Sequence, residues 1–395
     1  MVTSVLLSVL LLLIAWAWLR LAKREVSQPI WSTLEIPDVP EAEAPLISVV
    51  LTCRDDLRDI LRCVSSLLHQ SHPRFEVIVV DEHSSDGSWE RLQELQAQEP
   101  VPLRLLRTRQ SPEEGAERRS ARSYGVEVAK GAWLLFTEAD TYHAPDLLNR
   151  AMAYSRARDL ALLSIAPRQE CRTFWEHVWQ PLLFQYMDLL MPMGRVADPT
   201  VPDAWASSSF LLIAREAYTE AGGHTGEVPE ILTASGLARR VKALEYRVEF
   251  IKAMDLLQVR TYRGLRELWK GWSTRLYDLL GAHPSLVAIQ ALGIWGWSVL
   301  PFAAMVPAFS FAFWGLDAVQ GWWDVVLAVT TILAVVTILQ AQSVLRRVHR
   351  QNHWYTATLP LGGICLGAAA MNALVRRAIN KDTRWKSRVY RTQER

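Results

Sequence analysis

LISVVLTC, residues 46–53, is a short apolar run rich in β-branched residues, and two acids, Asp55 and Asp56, come directly after it. Such a run, with no polar alternation, reads as a strand buried on both faces. Helical spacing continues over Asp55–Gln70, at Leu57, Ile60, Leu61, Val64, Leu67 and Leu68. The same unit then repeats. FEVIVVD (75–81) is strand-like and Ser88–Ala97 helical, PLRLLR (102–107) is strand-like and Glu113–Ala129 helical, and AWLLF (132–136) is a fourth strand. Strands alternating with helices predict an α/β fold with a parallel sheet covered on both faces. Ligands of such sheets sit outside the carboxyl ends of the strands.

Three acidic pairs fall at those ends: Asp55–Asp56, Asp81–Glu82 and Glu138–Asp140. A single acid-x-acid such as Glu138-Ala139-Asp140 is only the polar end of a strand or a weak metal signal. Three pairs on one predicted edge are more specific.

Further along, FWEHVWQPLLFQYMDLLMPM (174–193) is dense in aromatic residues and Met. It reads either as a core helix or as an apolar acceptor groove or membrane contact. SSFLLIA (208–214) is strand-like, and 230–250 reads as a helix running into a strand. In YRGLRELWKGWSTRLY (262–277), Leu265, Trp269, Trp272 and Leu276 share one helical face, with Arg263, Arg266, Lys270 and Arg275 interleaved. That pattern predicts a helix lying in a membrane interface, with an ordinary surface helix as the alternative.

Apolar residues gather at the two ends of the 395-residue chain. Thr3–Ala22 is long enough to cross a bilayer. Its cations, Arg20, Lys23 and Arg24, stand after the apolar core rather than before it. This favours a retained anchor over a signal peptide, with the α/β region on the cytoplasmic side of the cell membrane. Residues 285–313, 323–345 and 354–373 are further candidate spans. If each crosses once, Arg346, Arg347 and Arg350 lie inside while the basic tail from Arg376 lies outside, against the positive-inside rule. The expectation is that one segment does not cross simply, and the Pro360, Gly362, Gly363 break makes it the third. Net charge near +2 gives no reason to expect a nucleic-acid partner. Cys53, Cys63, Cys171 and Cys365 lack metal-ligand spacing and read as reduced, buried thiols. The predicted organisation is an anchor (1–24), a Pro-rich acidic linker (25–45), a catalytic α/β domain (46–258), an interface helix (259–283), multi-pass transmembrane segments (284–375) and a basic cytoplasmic tail (376–395).

In this order, LISVVLTCRDD, VIVVDEHSSDGS, GAWLLFTEADTYHAPD, SSSFLLIAREAYTEAGGH, LARRVKALEYRV and YRGLRELWKGWSTRLY resemble the membrane-bound glycosyltransferases of family 2, of the ceramide, hopanoid and carotenoid type. The resemblance implies a GT-A fold, which is a Rossmann-like nucleotide-diphospho-sugar transferase domain. It also implies an inverting transfer from a UDP-sugar donor to a lipid acceptor in the membrane, with Mg2+ or Mn2+ as cofactor. Cys53-Arg54-Asp55-Asp56 stands at the nucleotide rim, where relatives have Ala-Arg-Asn-Glu. Asp81 matches the acid facing the uracil and ribose, and Asp86 the second acid of that motif. Glu138-Ala139-Asp140 stands where relatives carry Asp-Ala-Asp, so Asp140, with Glu138, is the expected metal ligand.

Other motifs depart from the family. Arg118 stands near the Gly-Lys of relatives and is a candidate phosphate contact, or part of a solvated charged face. Arg263, Arg266 and Trp269 loosely echo the diphosphate-holding motif of the interface helix, with lipid head groups as alternative partners. Thr233-Ala234 replaces the Glu-Asp that supplies the catalytic base. Glu230 is the substitute expected, with Glu227 and His224 nearby, although an acid there also suits a helix start. A degenerate member, binding nucleotide-sugar, lipid or an active paralogous subunit with weak or no catalysis, is the alternative reading.

Overall fold

The computed structural model describes residues 2–27, 44–98, 102–108, 121–224, 233–307, 322–379, 383–385 and 388–390. Most of the predicted linker, and Arg118, Glu227 and Glu230, lie outside the described residues. The chain divides into two compact units. A sheet unit takes Pro29–Glu170, Met191–Thr261 and Asp382–Arg395, and a helical unit takes Met1–Gln28, Cys171–Leu190 and Tyr262–Lys381. Residues 171–190, inside the stretch expected to be catalytic domain, therefore cluster with the apolar helices.

The sheet unit is built on strands β1 (Ile47–Cys53), β2 (Phe75–Asp81), β3 (Leu103–Arg107), β4 (Trp133–Glu138), β6 (Leu162–Ala166), β8 (Leu211–Ala214) and β9 (Val248–Lys252), in the order β3-β2-β1-β4-β8-β6-β9. The short strands β5 (Thr141–His143), β7 (Arg168–Gln169) and β10 (Leu257–Val259) form a second sheet. β3, β2, β1 and β4 are parallel, as the α/β alternation predicts. The sheet as a whole is mixed, because β8 runs antiparallel to both β4 and β6. Periodicity predicts a strand at 208–214 but carries no direction, so this departure has no mark in the sequence.

Alternate residues of β1 face opposite layers, as the two-residue strand period requires. Val49 and Leu51 pack with Ile60, Cys63, Val64 and Leu67 of α2 (Ile60–Leu68), Leu92 of α3 (Ser88–Gln98) and Met152 of α5 (Leu147–Ala157). Val50, with Leu134 and Phe136 of β4, packs with Ala217 of α7 (Arg215–Glu220) and Leu237 and Val241 of α8 (Thr233–Ala243). Helix α4 (Ala121–Val128) covers Ile78 and Val80 through Ala121.

Among the described residues, the helical unit holds three helices long and apolar enough to cross a membrane: α1 (Val2–Val26), α12 (Trp322–Val348) and the stretch His353–Ala378, which ends in α13 (Leu359–Ala378). Ser4 Oγ donates to Asp324 Oδ1 (3.4 Å), Thr330 Oγ1 donates to Ser8 Oγ (3.0 Å), and Glu25 lies by His349 (3.6 Å). Contacts in that order make α1 and α12 parallel neighbours, with their basic ends together. The break expected at Pro360 is absent. Pro360 stands in the first turn of α13, where no main-chain N–H is required. The bend falls instead in the first C-terminal segment, where α10 (Pro284–Ser298) meets α11 (Leu300–Ala303), and the helices Pro284–Ser298 and Leu300–Pro307 diverge by 47°. Pro301 again occupies a helix first turn there.

Gly131, before β4, admits no side chain, because a Cβ would lie 2.6 Å from Ser48 N and 2.7 Å from Leu46 O. Main chain cannot yield as a flexible side chain can. Gly131→Ala is expected to destabilise the sheet unit by about 1–3 kcal/mol, the usual cost of overpacking. A chemical-denaturation curve of the purified protein checks this.

Candidate active site

Register decides which groups meet. Cys53 pairs with Asp81 and Thr52 with Glu138, so β1, β2 and β4 end side by side. The three predicted acidic pairs therefore lie at one sheet edge, on adjacent strands.

The first two pairs tie loops together. Asp55 adopts φ 52°, a left-handed conformation that Asp tolerates better than most residues. Its amide donates to Ser84 Oγ (3.0 Å), and its Oδ1 accepts from the amide (2.8 Å) and hydroxyl (3.2 Å) of Ser85. Asp86 accepts from Ser88 N (3.0 Å) and from Leu57 N (2.9 Å), while Asp56 N donates to Ser88 Oγ (3.2 Å). These bonds clasp the loop after β1 to the loop after β2. Asp81 is wholly buried. Arg107 Nε lies 3.0 Å from its Oδ2, and Ser84 N donates to the carboxylate. Sequence reasoning misses Arg107; its one cue is a charged residue ending the neighbouring strand.

The third pair is more open. The Glu138 side chain is 37% exposed. Its Oε1 accepts from Ser208 Oγ (2.8 Å), and Arg122 Nη2 lies 3.9 Å away. Arg122 is buried on α4, so it is the described cation beside this acid. Asp140 is half-buried.

Beneath the Glu138–Asp140 turn runs a buried polar chain that sequence reasoning also misses. Thr137 Oγ1 donates to Ser209 O (2.7 Å) and meets Thr141 Oγ1 (3.1 Å) and His143 Nε2 (3.0 Å). Thr141 Oγ1 lies 2.6 Å from Glu138 O, and Ser66 Oγ lies 3.4 Å from His143 Nδ1. Alternation of Thr141 and His143 in β5 is its signal in the sequence. The chain fixes the main chain on both sides of Asp140. Burial lowers the His143 pKa to about 3, so the ring is neutral. Burial, reinforced by Asp81, pushes the Cys53 thiol far up, and burial pushes Cys63 up to about 12. Neither is a thiolate nucleophile. Cys171 and Cys365, expected to be buried, are only half-buried.

His224 packs edge-on to Phe136 (centroids 4.4 Å), and its Nδ1 meets Tyr218 Oη (3.0 Å). Burial, then the Arg122 and Arg240 charges, hold its pKa well below the usual range. It is therefore a poor substitute base. Thr233 opens α8, and Ala234 is buried in the core.

Arg263, Arg266 and Trp269 belong to the helical unit. Arg263 caps α9 (Gly264–Leu279) and its amide donates to Glu267 Oε2 (2.9 Å). The buried face of α9 is Leu268, Trp272 and Leu276, whereas Leu265 and Trp269 share the exposed side with Arg266 and Lys270. The predicted single face of Leu265, Trp269, Trp272 and Leu276 is thus split. The i, i+4 seam through Leu268 takes Trp272 and Leu276 inward, and Gly271 lets the Tyr262 ring approach within 2.2 Å of where a Cβ would stand.

Residues 48–214 match the model of glycosyl transferase family 2. Over these residues the chain is similar to family 2 glycosyltransferases. It is 31% identical, over 30% of its length, to a putative teichuronic acid biosynthesis glycosyltransferase of Bacillus subtilis, TuaG, and covers 44% of that protein. It is 30% identical, over 28% of its length, to a poly(ribitol-phosphate) β-glucosyltransferase of Bacillus spizizenii, and covers 17% of that protein. The chain thus spans less than half the length of both curated relatives. A mannosyltransferase of Pyrobaculum calidifontis, solved with GDP-Man and Mn2+, has the same fold: TM-score 0.52 and 16% identity, covering 94% of this chain and 97% of that one. The sheet unit is a GT-A-like α/β fold with a mixed sheet.

The acids at the domain's edge fit a hard divalent cation. Glu138 and Asp140 offer carboxylate oxygens one residue apart. Among the described residues no third His, Cys or carboxylate joins them at metal-ligand spacing. Such a pair suits Mg2+ or Mn2+, which commonly takes one or two carboxylates and fills its shell with substrate phosphates and water.

The buried His143 makes stability depend on pH. Its folded pKa of about 3 lies below the unfolded value of 6.5, so as pH falls below 6.5 only the unfolded chain gains the proton. Stability is lost over that window, at up to about 1.4 kcal/mol per pH unit. Denaturation midpoints from about pH 7 to 4 should fall, and fall less steeply in His143→Asn.

Proposed function

We propose that the protein is an inverting glycosyltransferase that moves a sugar from a UDP-sugar to the hydroxyl of a membrane lipid, isoprenoid, hopanoid or sphingoid-like, at the cytoplasmic face. The observation that carries this reading is the alignment of β1, β2 and β4, which sets Glu138 and Asp140 beside the Asp55–Asp86 clasp at one carboxyl edge. In the proposed reaction the acceptor oxygen attacks the anomeric carbon, the bond from that carbon to the diphosphate breaks, and UDP leaves with the electron pair. The acceptor proton passes to a base. Asp140, with Glu138, holds Mg2+ or Mn2+, whose chemistry is to neutralise charge on the departing diphosphate. Arg122 adds a cation on the Glu138 side, a place for which the sequence suggests Arg118. Asp55 and Asp81 shape the nucleotide rim through the clasp. The lipid acceptor is supported by the helices α1, α12 and His353–Ala378 and by the exposed Leu265, Arg266, Trp269 and Lys270 of α9, a surface suited to a membrane interface. The parallel basic ends of α1 and α12 support a common cytoplasmic side.

A second reading rests on Thr233 and Ala234, neither of which takes a proton near neutral pH. On it the protein keeps the fold and binds nucleotide-sugar, lipid or an active paralogue while catalysing weakly. A general base supplies about 10²–10⁴-fold, so its loss lowers the rate without abolishing every route.

UDP release with Mn2+, a UDP-sugar and a lipid extract tests the proposal. Asp140→Asn is expected to lower turnover by about 10²-fold or more, the scale for losing one transition-state charge contact, and Glu138→Gln by less. Wild-type turnover and metal dependence in Asp140→Asn would overturn the assignment. Nucleotide binding with no turnover in the wild type selects the second reading.

A further inference from the structure

We propose that Glu25, Asp188 and His349 form a second metal site, for a zinc-class divalent ion, in the helical unit and separate from the sugar-transfer chemistry. The three residues are each more than nine-tenths buried. Each offers a ligand atom, and these atoms lie within 4.8 Å of one another. His349 Nε2 stands 3.6 Å from Glu25 Oε2 and 3.7 Å from Asp188 Oδ2. Those separations are too long for a hydrogen bond. They are close to the roughly 3.4 Å edge of a tetrahedron whose metal–ligand bonds are about 2.1 Å. The imidazole nitrogen is nearly equidistant from the two carboxylates.

The surroundings favour a cation independently of the side chains. Glu25 lies in the last turn of α1, Asp188 in the last turn of α6 (Phe174–Leu190), and His349 stands directly after α12. Three helix C-termini therefore converge, each carrying partial negative charge. Arg24 engages the other oxygen of Glu25 (3.5 Å) and the main-chain carbonyl of Asp188. It meets part of the negative charge from outside the triad. Two carboxylates and one imidazole form a borderline donor set, which suits Zn2+ better than Mg2+ or Ca2+, both of which prefer oxygen alone. A protein set of three leaves one position for water. A metal there would staple α1, α6 and α12 at one end.

The full chain, purified in detergent and stripped with a chelator, is titrated with Zn2+ in the absence of nucleotide, and bound metal is counted by elemental analysis. One Zn2+ per chain is expected. His349→Gln and Asp188→Asn should each weaken binding by more than about 100-fold, the upper range even for outer-shell losses, while Asp140→Asn keeps it. No stoichiometric Zn2+ in the wild type, or loss in Asp140→Asn with retention in His349→Gln, overturns the proposal. Should the triad variants fail to fold, the wild type decides. Its melting temperature should rise with excess Zn2+ and return on chelation, and an unchanged melting temperature overturns the site.

Discussion

Main-chain pairing of Cys53 with Asp81 and of Thr52 with Glu138 is the constraint on which the candidate site depends. It brings Asp55, Asp56, Asp81, Asp86, Glu138 and Asp140 to one edge of the sheet. Gathered carboxylates repel one another. The fold answers locally. Arg107 meets Asp81, Arg122 approaches Glu138, and serine hydroxyls and main-chain amides meet Asp55 and Asp86. These partners divide the acids by task. Asp81 and the clasp hold the loops, while Glu138 and Asp140 stand at a turn supported from below by Thr137, Thr141 and His143.

This division explains how much could be read from the sequence. The strands LISVVLTC, FEVIVVD and AWLLF were legible because burial on both faces leaves an unbroken apolar run. Their order along the chain also implied a parallel ladder with acids at its end. The antiparallel β8 was not legible, since Leu211–Ala214 is as apolar as the parallel strands and direction leaves no mark on composition. The partners of the acids were hidden for another reason. Arg107 is 26 residues from Asp81, and Ser208 is 70 from Glu138; only the register makes them neighbours. Single hydroxyls such as Thr137 and Ser84 look like any polar strand end until the acceptors around them are known.

The helical unit was harder still to read. An apolar segment announces its length but not its neighbours. Pro360 and Pro301 look equally disruptive in the sequence, yet each stands in a helix first turn, where proline costs no hydrogen bond. The bend arises at Val299, between two helices, and not within either. On α9 the seam could run through Leu265 or Leu268, one helical turn apart. Gly271, by admitting the Tyr262 ring, accompanies the choice that leaves Leu265 and Trp269 outward beside Arg266 and Lys270.

The departures from family pattern then carry unequal weight. For the transfer proposed here, most of the barrier lies in separating charge at the sugar–phosphate bond. Fixed charges placed where that separation develops usually contribute more than proton removal does. Ala234 removes a proton acceptor. Water, or a group outside the described residues, can take a proton released late in the displacement. The place of Asp140 is set by the turn after β4 and by the buried Thr137–Thr141–His143 chain, so among the described residues a substitute is harder to find for it than for a proton acceptor.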